Sequence, residues 1–130
     1  MKPLLLDSHV LLWWLTEPKR LSRRAHALIE RGDAVVSVVT LWELLHKQGR
    51  RKLKLPQGDL ETLIAEQSIR VLSLQVKHVT SAASLNNLHA DPFDLLLIGV
   101  ARVERMVLLT HDRAILELAA PILGDLLMEA

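Results

Sequence analysis

Four acidic residues, Asp7, Glu43, Asp94 and Asp112, each stand just beyond an apolar run or in the first turn of the helix that follows one. In a parallel α/β sheet such positions collect at the carboxyl ends of the strands, so acids spread over the whole chain can meet in one pocket. Oxygen-rich pockets bind hard divalent cations, which points to metal-assisted phosphodiester chemistry. Each carboxylate also has a local structural use. Thr40-Leu41-Trp42-Glu43 has the form of a capping box, Asp91-Pro92-Phe93-Asp94 that of an N-cap followed by proline, and Asp7 and Asp112 can cap the helices they open. Together they are harder to dismiss, because crowded carboxylates raise one another's pKa and cost stability unless a counter-charge is present. A divalent metal supplies that charge, and two such ions about 4 Å apart activate a water, hold the scissile phosphate and stabilise the departing oxygen.

Other chemistries lack their residues. None of His9, His26, His46, His78, His89 and His111 has the HExxH spacing of a zinc protease, and no serine sits in a GxSxG elbow. The histidines read as structural, with His9 and His111 next to proposed metal ligands and placed to touch substrate. Five glycines, none clustered, leave no Walker loop or dinucleotide fingerprint. A phosphotransferase of haloacid-dehalogenase or receiver type also puts an aspartate at a strand end. Asp7-Ser8-His9, however, lacks the second acid of a DxD motif, and no lysine ends a late strand. Trp13, Trp14 and Trp42 lie in amphipathic helices of an aromatic-poor chain, so buried packing is expected of them rather than base stacking.

The elements that must carry the acids alternate in type. Pro3 to Leu6 is a short strand ended by Asp7, and Val10, Leu11, Trp14 and Leu15 then recur at helical spacing until Pro18. Ser22 caps a second helix that exits at Gly32. Ala34 to Val39 is β-branched and apolar, and Thr40 is expected to open the next helix, which fades at Gly49. After a basic loop broken by Pro56 come a helix over about 59–67, a strand over 71–74 and a helix over 76–88. Pro92 launches a helix through about Arg105, Val107 to Leu109 is a further strand, and a helix runs from Asp112 to Ala119. From Pro121 the tail is apolar and reads equally as a last strand or a partner-facing segment. Strands alternating with helices imply parallel pairing and a three-layer α/β/α domain with a central parallel sheet.

At 130 residues, half of them hydrophobic, the chain suits one sizeable core, so a single domain over 1–130 is expected. It has no cysteine, which excludes thiolate metal sites and suits a reducing cytoplasm. The three leucines before Asp7 are too few for a signal peptide or membrane span, so a soluble, unprocessed protein with no membrane partner is expected. Net charge is only +1, yet Lys47, Arg50, Arg51, Lys52 and Lys54 form one dense basic stretch and Lys19, Arg20, Arg23 and Arg24 another. Either is a solvated surface or a phosphate track, with little to choose between them.

Several segments in order carry a family resemblance: Leu4-Leu5-Leu6-Asp7-Ser8-His9-Val10-Leu11-Leu12-Trp13-Trp14-Leu15 with Leu21-Ser22, Ser37-Val38-Val39-Thr40-Leu41-Trp42-Glu43-Leu44, Asp91-Pro92-Phe93-Asp94 and Thr110-His111-Asp112. The chain resembles the PIN-domain ribonucleases, and among them the VapC toxins of bacterial type II toxin-antitoxin systems. The likeness covers most of the chain and stops near residue 115. It implies an Mg²⁺- or Mn²⁺-dependent endoribonuclease that cleaves RNA through a metal-activated water, leaving 5′-phosphate and 3′-hydroxyl ends. By position, Asp7, Glu43, Asp94 and Asp112 match the family's acidic quartet, with Asp91 and Thr110 as accessory residues. Lys47, Arg51 and Lys52 fall where RNA-contacting basic residues are expected, although Arg51 replaces a customary glycine. Two further departures are Leu95, where an arginine is common, and an aliphatic C-terminal stretch where an aromatic one is usual. The resemblance further implies an RNA substrate, a VapB-like antitoxin covering the acidic groove and a homodimer. The alternatives are a non-catalytic PIN-like interaction module and a solitary RNA-processing nuclease.

Overall fold

The computed structural model describes residues 2–51, 53–88 and 90–130. Its elements run β1 (Leu4–Leu6), α1 (Ser8–Thr16), α2 (Arg23–Glu30), β2 (Ala34–Ser37), α3 (Val38–Gly49), α4 (Leu60–Glu66), β3 (Arg70–Leu72), α5 (Val76–Ala83), α6 (Pro92–Glu104), β4 (Val107–Thr110), α7 (Arg113–Leu123) and β5 (Leu127–Glu129). The strands form one five-stranded sheet in the order β3-β2-β1-β4-β5. Every neighbouring pair is parallel.

The central strands are aliphatic up to the hydroxyl residues Ser37 and Thr110 that end β2 and β4, because both faces of the sheet are covered. Side chains alternate along a strand, so Leu4 and Leu6 enter one core cluster and Leu5 the other. Val36 and Val35 divide in the same way, as do Leu109 and Leu108. Val10, Ala25, Leu44 and Ile64, from α1 to α4, cover the first face, while Ala82, Ile98 and Ile115, from α5 to α7, cover the second. This is the expected three-layer α/β/α arrangement. Helices α5 and α6 approach so closely at Gly99 that a Cβ there would lie 3.0 Å from the Ala82 amide nitrogen and 3.0 Å from the His78 carbonyl oxygen.

Several boundaries differ from the sequence reading: β2 ends at Ser37 rather than Val39, β3 covers Arg70–Leu72 rather than 71–74, and α5 stops at Ala83 rather than Leu88. Helix α3 starts at Val38, because the Ser37 hydroxyl accepts a hydrogen bond from the Val39 amide at 3.1 Å and caps the helix. Thr40 is therefore a buried residue of the first turn, and the capping box expected at Thr40 to Glu43 does not form. Helix α7 continues past Ala119 to Leu123 with Pro121 inside it. Proline this near a C-terminus forfeits one backbone bond, and the helix ends where Gly124 turns to φ 54°. The apolar tail then adds β5 alongside β4, which decides between strand and free segment. Among the described residues no helix is long and apolar enough to cross a membrane.

Candidate active site

Parallel β1 and β4 are hydrogen-bonded neighbours, so the residues that leave their carboxyl ends emerge side by side. Asp7 leaves β1 and caps α1, its Oδ1 accepting from the Val10 amide at 2.9 Å. Its Oδ2 accepts from the hydroxyl of Thr110, the last residue of β4. The same Thr110 oxygen accepts from the Asp112 amide at 3.1 Å, and Asp112 Oδ1 caps α7 at the Ala114 and Ile115 amides. Thr110 thus ties two acids from opposite ends of the sequence into one rigid edge. Glu43 comes from the next neighbour, standing on α3 beyond β2 and paired with Lys47 at 3.3 Å. Asp91 caps α6 through the Phe93 amide at 2.8 Å, and Asp94 follows in the first turn.

These residues meet. Asp7, Glu43, Asp91, Asp94 and Asp112 line one cavity of about 120 Å³ together with Ser8, His9, Thr40 and Lys47. That volume has room for a cation and several waters. Thr40, Glu43 and Lys47 reach it because spacings of three and four residues share one helix face. Ser8 and Thr40 are polar cavity residues that the sequence reading passed over; that spacing was the available signal for Thr40. A larger cavity of about 520 Å³ lies between α2 and the starts of β4 and β5, and none of these five acids lines it.

The acids strain against one another. Asp7 is only 2% exposed, and burial lifts its pKa above the usual 3.8 although Thr110, Val10 and His9 pull the other way. Asp94 is pushed up to about 7, first by burial and then by the charges of Asp91, Glu43, Asp112 and Asp7. Among the described residues Asp94 has no hydrogen bond or ion pair to offset this. The four oxygen donors gather at one cavity without a closed cage, since among the described residues no three acidic or imidazole side chains are placed to hold a metal ion. Local bonds explain the spread: Asp7, Asp91 and Asp112 each turn an oxygen toward a helix amide, and Glu43 leans to Lys47.

Other expected site residues are dispersed. Arg51 sits at φ 57° beyond α3 and does not line the cavity, and Lys52 lies outside the described residues, as does His89. His26 rests against Trp14, His46 against Trp42, and His78 is buried on α5. Trp42 is 58% exposed, contrary to the expected packing, because Leu44 rather than Trp42 takes the core-facing position of α3. Leu95 is 6% exposed in the core, so it presents no polar group to the cavity.

A family model of the PIN domain matches residues 4–121. The chain belongs to the PIN-domain family. It is also 34% identical over 117 residues to Ribonuclease VapC22 of Mycobacterium tuberculosis, covering 87% of this chain and 89% of that protein. A solved toxin-antitoxin complex from Klebsiella pneumoniae superimposes with a TM-score of 0.62 over 95% of this chain and 94% of that one; at 14% identity this shows a shared fold. The family match reaches past residue 115, where the motif resemblance stops, and takes in Asp7, Glu43, Asp94 and Asp112 of this PIN domain.

Proposed function

We propose that this protein is an Mg²⁺- or Mn²⁺-dependent endoribonuclease and the toxin half of a type II toxin-antitoxin pair. One observation carries the reading: Asp94, half-buried and without a cationic partner among the described residues, is pushed up to about 7 among four other acids in a cavity sized for an ion. Hard carboxylate oxygens with unrelieved negative charge fit a hard divalent cation. The ribonuclease name of the 34% identical VapC relative supports RNA as substrate and a VapB-like antitoxin as partner.

In this mechanism Asp7, Glu43, Asp94 and Asp112, which line the cavity, would hold the cation once their side chains turn toward it. When bound, it supplies positive charge at the scissile phosphate and makes a water more acidic. Thr110 keeps Asp7 and Asp112 at fixed spacing, so this edge does not reorganise when charge shifts. Lys47, held at the cavity wall by Glu43, is placed to meet a phosphate oxygen. Asp91 keeps the start of α6, and with it Asp94, in position. Among the described residues the charged lining of the cavity is mostly acidic, which suits recognition of accessible single-stranded loops rather than of base sequence. The reading places the protein in the cytoplasm as a homodimer of one-domain chains.

The test is cleavage of total RNA in Mn²⁺ buffer by the parent and by Asp94→Asn. Loss of Mn²⁺-dependent cleavage in the variant is expected; equal cleavage by both proteins would remove the mechanism. A second reading, a non-catalytic module with the same fold, is favoured by the absence of a preformed cage among the described residues. It predicts that Mn²⁺ leaves the melting temperature unchanged, whereas binding to the folded state raises it.

A further inference from the structure

Beside the acid cavity stands a group of flat side chains gathered on Trp13. Trp13, on α1, has the Arg20 guanidinium carbon 4.3 Å from its ring centroid. His111 meets the same indole edge to face at 4.9 Å, and His9 lies tilted 6.5 Å away. Arg20 is also paired to Glu17 at 3.4 Å, yet its side chain stays 56% exposed. His9 and His111 are exposed as well. Trp13 packs partly against the core, so it is the support on which the exposed groups rest. The group adjoins the cavity directly, since His9 lines it and His111 immediately precedes Asp112.

We propose that Arg20 and His111, braced by Trp13, form a shelf that grips single-stranded RNA next to the acid cavity, the guanidinium meeting a phosphate and the imidazole stacking on a base. This rests on the reading of the cavity as a ribonuclease centre. Two physical arguments carry it. A guanidinium held on an indole and paired with a carboxylate has already lost much of its freedom, so less is lost when it binds a phosphate. Every base has a π-face, so an exposed ring beside a phosphate-binding cation holds single strands without reading their sequence. The shelf also gives the second basic stretch a use, with Arg20 as its contacting member.

The experiment uses a labelled single-stranded oligoribonucleotide in Mn²⁺, and copies with one abasic nucleotide at successive positions around the cleaved bond. With the parent, an abasic nucleotide at one flanking position should raise KM about 10-fold while kcat changes little. His111→Ala should raise KM on the intact strand to a similar extent and lose the abasic effect, and His111→Phe should restore both. Arg20→Gln should raise KM and lower the slope of log affinity against log salt by about one. Unchanged KM and salt slope in Arg20→Gln and His111→Ala, or no abasic effect at any position, would overturn the shelf. Anisotropy binding of the same strands separates the two readings. If the parent binds without cleaving, the nuclease reading falls and the shelf is judged on whether the variants bind more weakly; if it neither binds nor cleaves, both fall.

Discussion

Replacing Asp94 by asparagine should stabilise the metal-free protein while abolishing its response to metal. An ordinary aspartate ionises near 3.8, whereas Asp94 in the fold is pushed up to about 7. The folded chain therefore keeps a proton that the unfolded chain has already released between those values. Stability falls as pH rises through that window, and the full penalty is present above it. At about 1.4 kcal/mol per decade the gap sets a ceiling of about 4 kcal/mol. Asp94 is only partly buried, and water screening reduces the penalty to about 1–2 kcal/mol. Asparagine keeps the shape and removes the charge, so Asp94→Asn should melt roughly 3–10 °C above the parent at pH 8 in EDTA. The difference should shrink toward zero near pH 4, where both side chains are neutral. Adding Mn²⁺ should reverse the order, because the parent gains stability by binding the ion and the variant gains far less. Thermal melts at pH 5 and 8, each with EDTA and with Mn²⁺, measure all of this. A variant that melts below the parent at pH 8 in EDTA, or a difference that does not narrow on acidification, would refute the reasoning.

Three further outcomes follow from the packing. Thr110→Val removes the hydroxyl that joins Asp7 to the Asp112 amide and should cost about 1–3 kcal/mol by urea unfolding, with a fall in cleavage rate at saturating Mn²⁺. Gly99→Ala places a methyl 3.0 Å from two backbone atoms of α5 that cannot turn aside, so a loss of about 1–3 kcal/mol is expected in the same assay. Arg105 ends α6 in the left-handed region at φ 55°, a conformation glycine adopts without penalty. Arg105→Gly should therefore raise stability by about 1 kcal/mol, and a lower urea midpoint would contradict it.

Much of the fold was legible in the chain because its signals are local. Leu4-Leu5-Leu6 and Val107-Leu108-Leu109 read as buried strands since both sheet faces demand aliphatic residues, and Ser22 and Asp91 read as caps because their oxygens reach amides two or three residues on. The start of α3 was misplaced because Ser37 and Thr40 carry the same capping chemistry and only the fold chooses between them. The last strand was ambiguous because three residues beside β4 are too few for a period to declare itself. Trp42 was expected inside, since helical spacing makes a side chain amphipathic without saying which face the sheet will cover.

Although Glu43 lies a turn deeper in α3 than its pattern implied, the sequence by itself determined the acids, the strand-end or helix-start positions of Asp7, Asp94 and Asp112, and the alternation of strand and helix that makes a parallel sheet. Those are set by steric preference and hydrogen bonds within a few residues. Only the tertiary structure decided that Asp94 faces Glu43, Asp7 and Asp112 across one small cavity, that Thr110 links β1 to β4, and that Arg20 lies on Trp13. Burial and Coulomb repulsion depend on distance through space, so the charge state of a carboxyl group is a property of the assembled neighbourhood.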